Sequence, residues 1–403
     1  MTMCEWLPTP LEIGADRWKS RTCIRTGLIV VHTMASCHRL LDVADCIESD
    51  PRVQTIFTVA PDAFRRGVAE HLHDLGALVL PWQQARRERF DLAVAASSGG
   101  LPELHAPLLV MAHGAGRGKR VRPAGRGTPA TDDPPVYGLD AARLTRDGEV
   151  LAAALALSHE AERDIVHRQC PEALPVTVVV GDPCLDRLVA SVPWRERYRR
   201  TFGIDEGERV IVVSSTWGRD GLFGSVPDLL PRLMEESRGT RCRVAALIHP
   251  AVWAAHGHRQ VRAWLRACRE AGLILSEPAD DWRALLLAAD HIVGDHGSVT
   301  TYAAALGLPT LRLAPADGTV TVPGSAQAVL GGVADRLDPC GALLPQVYAA
   351  TRVDPVRTVA ALTSRPGQAH ALLRRTMYRL LDLDEPGLHR RATPVPVPGD
   401  EGP

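Results

Sequence analysis

The sequence lacks the features that would point to a membrane, to nucleic acid or to an acidic surface as a partner. Among 403 residues there are two lysines, Lys19 and Lys119, and the formal net charge is only −1. Such a balance gives no general electrostatic attraction to polyanions. No window contains the ~18–20 consecutive apolar residues that a membrane-spanning helix requires. We therefore expect no nucleic-acid partner and no transmembrane segment.

The cysteines lack a pattern as well. Nine of them are scattered along the chain, and none forms a Cys-x-x-Cys pair. An odd, scattered set argues against a disulfide framework or a zinc site, and it favours reduced thiols in the cytoplasm. The chain has no G-x-G-x-x-G or P-loop fingerprint, and no Asp-x-Asp pair follows a predicted strand. We expect neither a metal nor a resident cofactor.

What the sequence does contain is a repeated alternation of short apolar runs with longer amphipathic stretches. The apolar runs are continuous, which is typical of strands buried on both faces of a parallel sheet that is flanked by helices. They form two series. The first comprises 26–33, 53–60, 77–81, 90–97, 106–113, 153–158 and 176–183, and the second comprises 209–216, 244–250, 273–278, 291–297 and 309–315.

Length and this duplication predict an α/β protein with two Rossmann-like parallel-sheet domains that face each other across a cleft. The expected boundary lies between residues 188 and 205. We predict an N-terminal domain over 1–190, a C-terminal domain over 205–366, a helix within 367–390 that packs back on the first domain, and a disordered Pro-rich tail over 391–403.

One stretch, IVGDHGSVTTY, places polar groups directly after the fourth strand of the second series. The helix that follows would offer free backbone N–H groups and the positive end of its dipole, which suit a phosphate. The stretch therefore predicts a phosphate site that contains Asp295, His296, Gly297, Ser298 and Thr300. A second interpretation stays open, in which Ser298 only caps the helix and Asp295 only closes the turn.

Five segments, each after a predicted strand and in this order, resemble motifs of one superfamily. They are MAHGAGRGK (111–119), VVVGDPCLDRL (178–188), SSTWGRD (214–220), LIHP (247–250) and VGDHGSVTTYAAALGLPTL (293–311). Together they resemble the GT-B glycosyltransferase superfamily. The nearest resemblance is to the CDP-glycerol glycerophosphotransferases of teichoic-acid synthesis, and a more distant one is to the UDP-N-acetylglucosamine 2-epimerases.

The resemblance implies a GT-B fold and a transferase. Such an enzyme would move a glycosyl or polyol-phosphate group from a CDP- or UDP-linked donor to a hydroxyl acceptor without a metal. The expected partners are a nucleotide-diphosphate donor and either a small-molecule or a cell-wall acceptor. The sequence does not indicate an oligomeric state.

The resemblance also implies roles for individual residues. It gives His113 the role of general base and His249 that of a contact to the leaving phosphate. The residues it places around the donor are Lys119, Thr216, Trp217 and Arg219. By their position after the first strand, His32 and Ser36 are expected on the acceptor side. Structural alternatives remain, because a histidine at a turn can be held by backbone and a basic loop can simply be solvated.

The chain departs from the family pattern at the donor segment, where Gly297–Ser298 stands for Ser-Ser and His296 for Tyr. Leu247–Ile248 replaces the arginine that precedes the motif of His249. Two alternatives to the transferase therefore stay open. One is a sugar-nucleotide epimerase, and the other is a catalytically silent GT-B scaffold that binds a nucleotide or a partner.

Overall fold

A computed structural model of the chain describes residues 20–21, 23–121, 134–314, 321–387 and 391–399. The strands are β1 (Arg25–Val31), β2 (Val53–Val59), β3 (Val79–Leu80), β4 (Leu92–Ala95), β5 (Leu108–Val110), β6 (Thr145–Arg146), β7 (Glu149–Val150), β8 (Ala154–Leu157), β9 (Thr177–Val179), β10 (Arg209–Ser215), β11 (Cys242–Ile248), β12 (Ile274–Ser276), β13 (His291–Gly294), β14 (Thr310–Arg312) and β15 (Asp335–Arg336).

The helices are α1 (Met34–Glu48), α2 (Val68–Asp74), α3 (Trp82–Ala85), α4 (Ala141–Leu144), α5 (Glu160–Gln169), α6 (Pro183–Ser191), α7 (Arg195–Thr201), α8 (Leu222–Ser225), α9 (Leu229–Glu236), α10 (Pro250–His256), α11 (His258–Trp264), α12 (Arg266–Glu270), α13 (Trp282–Ala288), α14 (Ser298–Ala305), α15 (Ala326–Val333), α16 (Leu343–Ala349), α17 (Pro355–Leu362) and α18 (Ala369–Leu380). Short 3-10 turns occupy Leu101–Glu103, Pro171–Val176 and Val192–Trp194. None of the helices in the described residues is long and apolar enough to cross a membrane.

The chain divides into two compact units, each built on one parallel sheet. The first contains the described parts of Met1–Gly114, Tyr137–Pro183 and Gly367–Arg391. The second contains the described parts of Ala115–Val136, Cys184–Pro366 and Ala392–Pro403. The predicted α/β class with two Rossmann-like parallel sheets is confirmed.

The sheet of the first unit has the strand order β3-β2-β1-β4-β5-β8-β9. All of its pairings are parallel, and β6 and β7 form a separate antiparallel hairpin. Its core consists of apolar side chains from the sheet, from α1 and from α18, including Ile29, Leu40, Val94 and Met377. The chain direction across the sheet reverses between β1 and β4. In doubly wound sheets this switch point, at the carboxyl ends of the strands, is where ligands bind.

The sheet of the second unit has the order β12-β11-β10-β13-β14-β15, again with parallel pairings. One core lies between this sheet and α13, α14 and α17, and another lies under α9, α10 and α16. The switch point here is between β10 and β13. The loops that follow Ser215 and Gly294 therefore lie side by side.

Helix α18 belongs to the first unit although it is distant in sequence. Its Leu373 and Met377 are buried in the first core. The Tyr378 hydroxyl donates a hydrogen bond to Asp50 Oδ2 over 2.8 Å. Arg52 donates to the same carboxylate, and this pairing lowers the pKa of Asp50 well below its usual range. The Tyr378 hydroxyl thus links the C-terminal helix to the ion pair of Asp50 and Arg52.

The tail differs from the expectation for residues 391–399. Val395 is buried, the Tyr198 hydroxyl donates to its carbonyl over 2.6 Å, and its N–H donates to Ser191 Oγ over 2.8 Å. The prediction of disorder is wrong for this part, because one apolar side chain with both backbone groups bonded anchors it to the second unit. Residues 400–403 of the predicted tail lie outside the described part of the chain.

The boundaries of the units also differ from the predicted ones. Residues Cys184–Pro366, and the segment that begins at Ala115, lie in the second unit. The reason is non-local hydrogen bonding: Gln327 donates to the Ala115 carbonyl, and Val322 donates its N–H to the carbonyl of Gly118. Composition alone contains no signal for such pairings.

Candidate functional site

Asp295 holds together the two loops at the switch point of the second unit. Its Oδ2 accepts hydrogen bonds from the N–H of Thr216 (2.8 Å), from Thr216 Oγ1 (2.9 Å) and from the N–H of Leu222 (2.9 Å). Its Oδ1 accepts the N–H of Gly297 over 2.9 Å. The carboxylate is 1% exposed. Four hydrogen bonds to one buried carboxylate fix the shape of both loops.

This arrangement changes the roles expected for Asp295 and Thr216. The Thr216 hydroxyl donates its hydrogen bond to Asp295, and the negative charge of Asp295 would repel a phosphate. Both residues were predicted to bind phosphate directly. Their geometry instead makes them positioning residues, which shape the loops that other groups of the site belong to.

Gly297 is required by packing. A Cβ atom at this position would lie 2.6 Å from Thr216 Cγ2 and 3.1 Å from Asp295 Oδ1. The backbone φ of Gly297 is −78°, which any residue adopts. We expected a glycine here because it leaves room for an anion. The structure gives a different reason, since a larger residue would collide with the methyl group of Thr216.

Ser298 is the first residue of α14 and does not cap it. The capping position is Gly297, which has no side chain that could cap the helix, and its N–H donates to Asp295 Oδ1. Ser298 Oγ instead accepts the N–H of Ala115 over 3.0 Å, which orients the hydroxyl and leaves its proton for an acceptor. The interpretation of Ser298 as a helix cap is wrong, whereas the uncapped N-terminus with one held hydroxyl suits an anion.

Thr300 does not face a ligand. Its side chain is fully buried, and a Cβ atom at Gly294 would collide with it. The Thr300 hydroxyl has no hydrogen-bond partner in the described part of the chain. The prediction that Thr300 donates to phosphate is therefore wrong, because its position one turn into α14 points it at the sheet.

His296 lies between opposite charges beside this helix start. It is 8% exposed, and burial is the main cause that lowers its pKa. Asp295 opposes this shift, whereas the charges of Lys119 and Arg312 reinforce it. Lys119 is exposed, and its backbone pairs with Thr321. The imidazole is thus neutral near pH 7, and the positive charges of Lys119 and Arg312 both act on it.

Residues 115–121 form a strap beside α14, which we call the 115–121 strap. The Gln327 side-chain amide donates to the Ala115 carbonyl over 2.6 Å. Gly118 packs so closely on Gln327 that a side chain would not fit. These contacts hold the backbone around Lys119 in the second unit. The sequence had predicted that Lys119 lies in the N-terminal domain.

Trp217 and Arg219 lie on the exposed loop that follows β10. Trp217 is 49% exposed, and Gly218 between them has a φ of 87°, which favours glycine. Arg219 is also exposed. The loop begins at Thr216 and is therefore anchored by Asp295, so that an aromatic face and a guanidinium extend from a fixed starting point.

His249 follows β11 and caps α10. Its ring nitrogen Nδ1 accepts the backbone N–H of Ala251 over 3.1 Å. The backbone N–H of His249 donates to the carbonyl of Ser215. Because Nδ1 is an acceptor here, we assign the proton of the neutral ring to Nε2. Through that nitrogen His249 can donate a hydrogen bond, which is what contact with a leaving phosphate requires.

In the first unit, His32 closes the switch point between β1 and β4. Its Nε2 lies 2.6 Å from the carbonyl oxygen of Gly99, and the side chain is fully buried. Burial lowers the pKa of His32, so that it is neutral near pH 7. A buried histidine bonded to backbone does not suit contact with an acceptor, and the expected acceptor-side role is not supported by this geometry.

Ser36 has a structural role as well. Its hydroxyl accepts the N–H groups of His32 and Thr33, and Thr33 Oγ1 accepts the N–H of Ser36. Thr33 and Ser36 thus form a capping box at the start of α1. Ser36 is 1% exposed. The prediction that it contacts an acceptor is wrong, because its oxygen is committed to the helix N-terminus.

His113 follows β5 and is exposed. Its Nδ1 lies 3.2 Å from the carbonyl oxygen of Ala96. A carbonyl only accepts, so Nδ1 carries the proton and Nε2 has the lone pair in the neutral ring. This tautomer is the one that a general base requires, and a backbone contact at the other nitrogen orients it.

The turn after His113 is held by a buried ion pair that sequence reasoning missed. Arg39 contacts Asp182 with both of its terminal nitrogens at 3.3 Å, and one of them donates to the Gly114 carbonyl over 2.9 Å. Arg39 was hidden in the helical pattern of α1. A second missed residue is Arg312, the charged end of an otherwise apolar strand segment, which a search for lone charges in strands would have found.

No group of three or more His, Cys, Asp or Glu side chains in the described residues could hold a metal ion.

The residues of the candidate site divide into two sets. The second unit brings together Asp295, Thr216, Gly297, Ser298, His296 and Lys119, with His249 tied to the neighbouring strand. The first unit positions His113 and buries His32.

Comparisons with known proteins support the fold. No protein-family model matches the sequence, and no curated protein matches it. Among solved structures, the chain is similar to the wall teichoic acid polymerase TagF, with a TM-score of 0.60 and 12% identity over 90% of both chains. TagF soaked with CDPG matches with the same TM-score, identity and coverage.

The chain is also similar to a UDP-GlcNAc 2-epimerase from Neisseria meningitidis bound to UDP-GlcNAc. That match has a TM-score of 0.53 and 13% identity, and it covers 89% of this chain and 100% of the other. At such identities the similarity establishes the fold alone. The chain therefore shares the fold of these two proteins, with one parallel sheet in each of its two units.

Proposed function

We propose that this protein is a transferase that moves a glycosyl or polyol-phosphate group from a CDP- or UDP-linked donor to a hydroxyl acceptor. One observation carries the proposal: Gly297, the capping residue of α14, has no side chain to cap the helix, and Ser298 holds its hydroxyl at the helix start. Free N–H groups, the helix dipole and a hydroxyl donor are the groups that bind a phosphate. Solved structures of the same fold that contain CDPG or UDP-GlcNAc support a nucleotide-linked donor.

The proposed donor site lies wholly in the second unit. Ser298 and the first N–H groups of α14 would bind phosphate oxygens, and Lys119 would neutralise charge. Asp295 and Thr216 would hold the loops, and Trp217 and Arg219 would contact the nucleotide from the exposed loop. His249 would donate from Nε2 to the leaving phosphate. Charge grows on that phosphate in the transition state, so fixed donors there lower the barrier.

The proposed base is His113 in the first unit. With Nδ1–H bonded to the Ala96 carbonyl, Nε2 carries the lone pair that would take the proton of an attacking hydroxyl. The usual pKa of histidine, about 6.5, suits proton transfer near neutral pH. The acceptor is either a small molecule or a cell-wall polymer. We further propose that the enzyme acts in the cytoplasm and needs no metal.

Calorimetric titration of CDP and UDP, with ADP and GDP as controls, tests the proposed donor site. We expect CDP or UDP to bind at least about ten-fold more tightly than the purine nucleotides, a difference of about 1.4 kcal/mol. Equal affinity for all four, or none for any, would contradict the proposal. Release of CMP, CDP or UDP from a panel of nucleotide-linked donors then separates a transferase from a silent scaffold, which would bind a donor without releasing a nucleotide.

A further inference from the structure

Among the described residues, Arg312 is a buried cation that no ion pair includes. Its side chain is 7% exposed, and its Nε has no hydrogen-bond partner among the described residues. The negative charge of Asp295 acts on it, but the Asp295 oxygens accept four other hydrogen bonds. A buried charge is destabilising unless it is paired, so a lone one calls for an explanation.

The position of Arg312 is next to the phosphate site. It ends β14, and it is the register partner of Gly294, the last residue before Asp295. The N–H of Leu313 donates to the Gly294 carbonyl over 2.8 Å, which fixes the two strand ends together. The charge of Arg312 acts on His296 together with that of Lys119. The guanidinium therefore lies at the carboxyl edge of the sheet, beside the start of α14.

The surrounding chain leaves space for this guanidinium. A Cβ atom at Gly331, in α15, would lie 2.7 Å from Arg312 Nη1 and 3.4 Å from Cζ. A glycine inside a helix reduces helix stability relative to alanine. The presence of a glycine at position 331 is explained because the guanidinium of Arg312 occupies the space over its Cα. The absence of a side chain there lets the guanidinium keep one orientation.

We propose that Arg312 binds the second phosphate of the donor, so that this site selects a diphosphate over a monophosphate. The inference rests on the proposed function. The helix start and Ser298 suit one phosphate group, and a guanidinium from the neighbouring strand adds two further donors in a fixed fork. The ligand would supply the paired negative charge that the described residues do not supply to Arg312.

Calorimetric titration uses two matched pairs of probes. One pair is inorganic pyrophosphate and phosphate, and the other is CDP and CMP. We expect the parent to bind each diphosphate at least about ten-fold more tightly than the matching monophosphate. Arg312→Met should weaken CDP and pyrophosphate by about ten- to a hundred-fold, and CMP by less than about three-fold. Arg336→Met is the matched control, because Arg336 is the exposed register partner of Arg312 on β15. It should stay within about two-fold of the parent.

Gly331→Ala provides a second variant that keeps the charge. It should weaken CDP binding by displacing the guanidinium, although alanine favours the helix. Without ligand, Arg312→Met should melt no lower than the parent, since it removes an unpaired buried charge. A melting temperature many degrees lower, or equal losses of CDP and CMP affinity, would show a structural role and overturn the proposal.

The two proposals can fail separately. If CDP binds the parent tightly and Arg312→Met binds it equally well, Arg312 is not part of the site and the proposed donor function stands. If no nucleotide binds but pyrophosphate binds in a way that depends on Arg312, the diphosphate site stands and the nucleotide-linked donor is wrong.

Discussion

Asp295 and Thr216 join the carboxyl ends of β13 and β10, because Asp295 Oδ2 accepts both the N–H and the hydroxyl of Thr216. The first unit closes its own switch point in a comparable way, with His32 bonded to the carbonyl of Gly99 after β4. In each sheet a buried polar side chain fastens the pair of loops where a doubly wound fold binds ligands. Several polar residues of the motifs therefore build the site, and fewer of them touch a ligand.

Gly297→Ala tests whether the glycine is required by Thr216. The added Cβ would lie 2.6 Å from Thr216 Cγ2, and overpacking of this kind costs about 1–3 kcal/mol of the free energy of unfolding. We expect the variant to melt several degrees lower. The second change Thr216→Ser removes the methyl group, keeps the hydroxyl bond to Asp295 and should recover most of the loss. If the double variant is as unstable as Gly297→Ala alone, another contact makes the glycine necessary.

Ser298→Ala and Thr300→Val form a matched pair at the start of α14. Ser298→Ala removes a hydroxyl donor to a charged group and should weaken nucleotide binding by about 1.5–3 kcal/mol, roughly ten- to a hundred-fold. Thr300→Val has the same shape as threonine and removes a buried hydroxyl without a partner, so affinity should not change and stability should be equal or higher. Calorimetric titrations and melting curves of both variants measure these effects. A loss of affinity in Thr300→Val but not in Ser298→Ala would reverse the assignment.

The alternation of apolar runs predicted the strands of both sheets except β15, because strands buried on two faces leave a continuous apolar signature and the polar pair Asp335–Arg336 does not. The predicted run 209–216 corresponds to β10, and 291–297 overlaps β13, which ends earlier, at Gly294. The short polar hairpin of β6 and β7 has no such signature. The 115–121 strap could not be predicted, since its place depends on Gln327 and Val322, two hundred residues away in sequence.

The site was predicted at the level of segments and less well at the level of atoms. IVGDHGSVTTY does lie at the switch point, but a sequence does not tell which oxygen meets which N–H. Thr300 and Ser36 are hydroxyl residues in the expected segments, and both point into the protein. Arg312 shows the opposite case, because the sequence marks it only as a lone charge in an apolar strand segment, and its burial without an ion-pair partner among the described residues is seen only in the structure.

Substitution of the two histidines separates turnover from binding. His113→Ala should abolish turnover and leave nucleotide affinity within about two-fold, since a base for the acceptor does not touch the nucleotide. His249→Ala should weaken nucleotide binding or reduce turnover, because it removes a donor to the leaving phosphate. Neither variant should melt much lower than the parent. A large fall in the melting temperature of His113→Ala would indicate that its contact with Ala96 is structural.

Chelation tests the proposed independence of metal. Activity with a nucleotide-linked donor should persist in EDTA, because N–H groups and basic side chains take the place of a cation in the proposed site. The measurement is nucleotide release with EDTA and with added magnesium. Complete loss of release in EDTA, restored by magnesium alone, would contradict the proposed site.

His32 should make the stability of the first unit sensitive to acid. Burial lowers its pKa, so the folded chain keeps the ring neutral below about pH 6.5, where the unfolded chain binds a proton. Stability is then fully present above about pH 6.5 and decreases as the pH falls from there towards the folded pKa. The largest slope is about 1.4 kcal/mol per pH unit for one group, or roughly 3–6 °C per pH unit for a domain of this size.

His32→Gln should reduce this slope, because glutamine does not titrate there, even if the variant is less stable at neutral pH. The control is His167→Gln on the exposed face of α5, which should follow the parent. Melting temperatures between pH 7.5 and pH 5 provide the measurement. His291 and His296 also have lowered pKa values through burial, so some slope should remain in His32→Gln. An identical slope in the parent and in His32→Gln would mean that His32 takes up a proton in the folded state, and that its bond to Gly99 does not depend on a neutral ring.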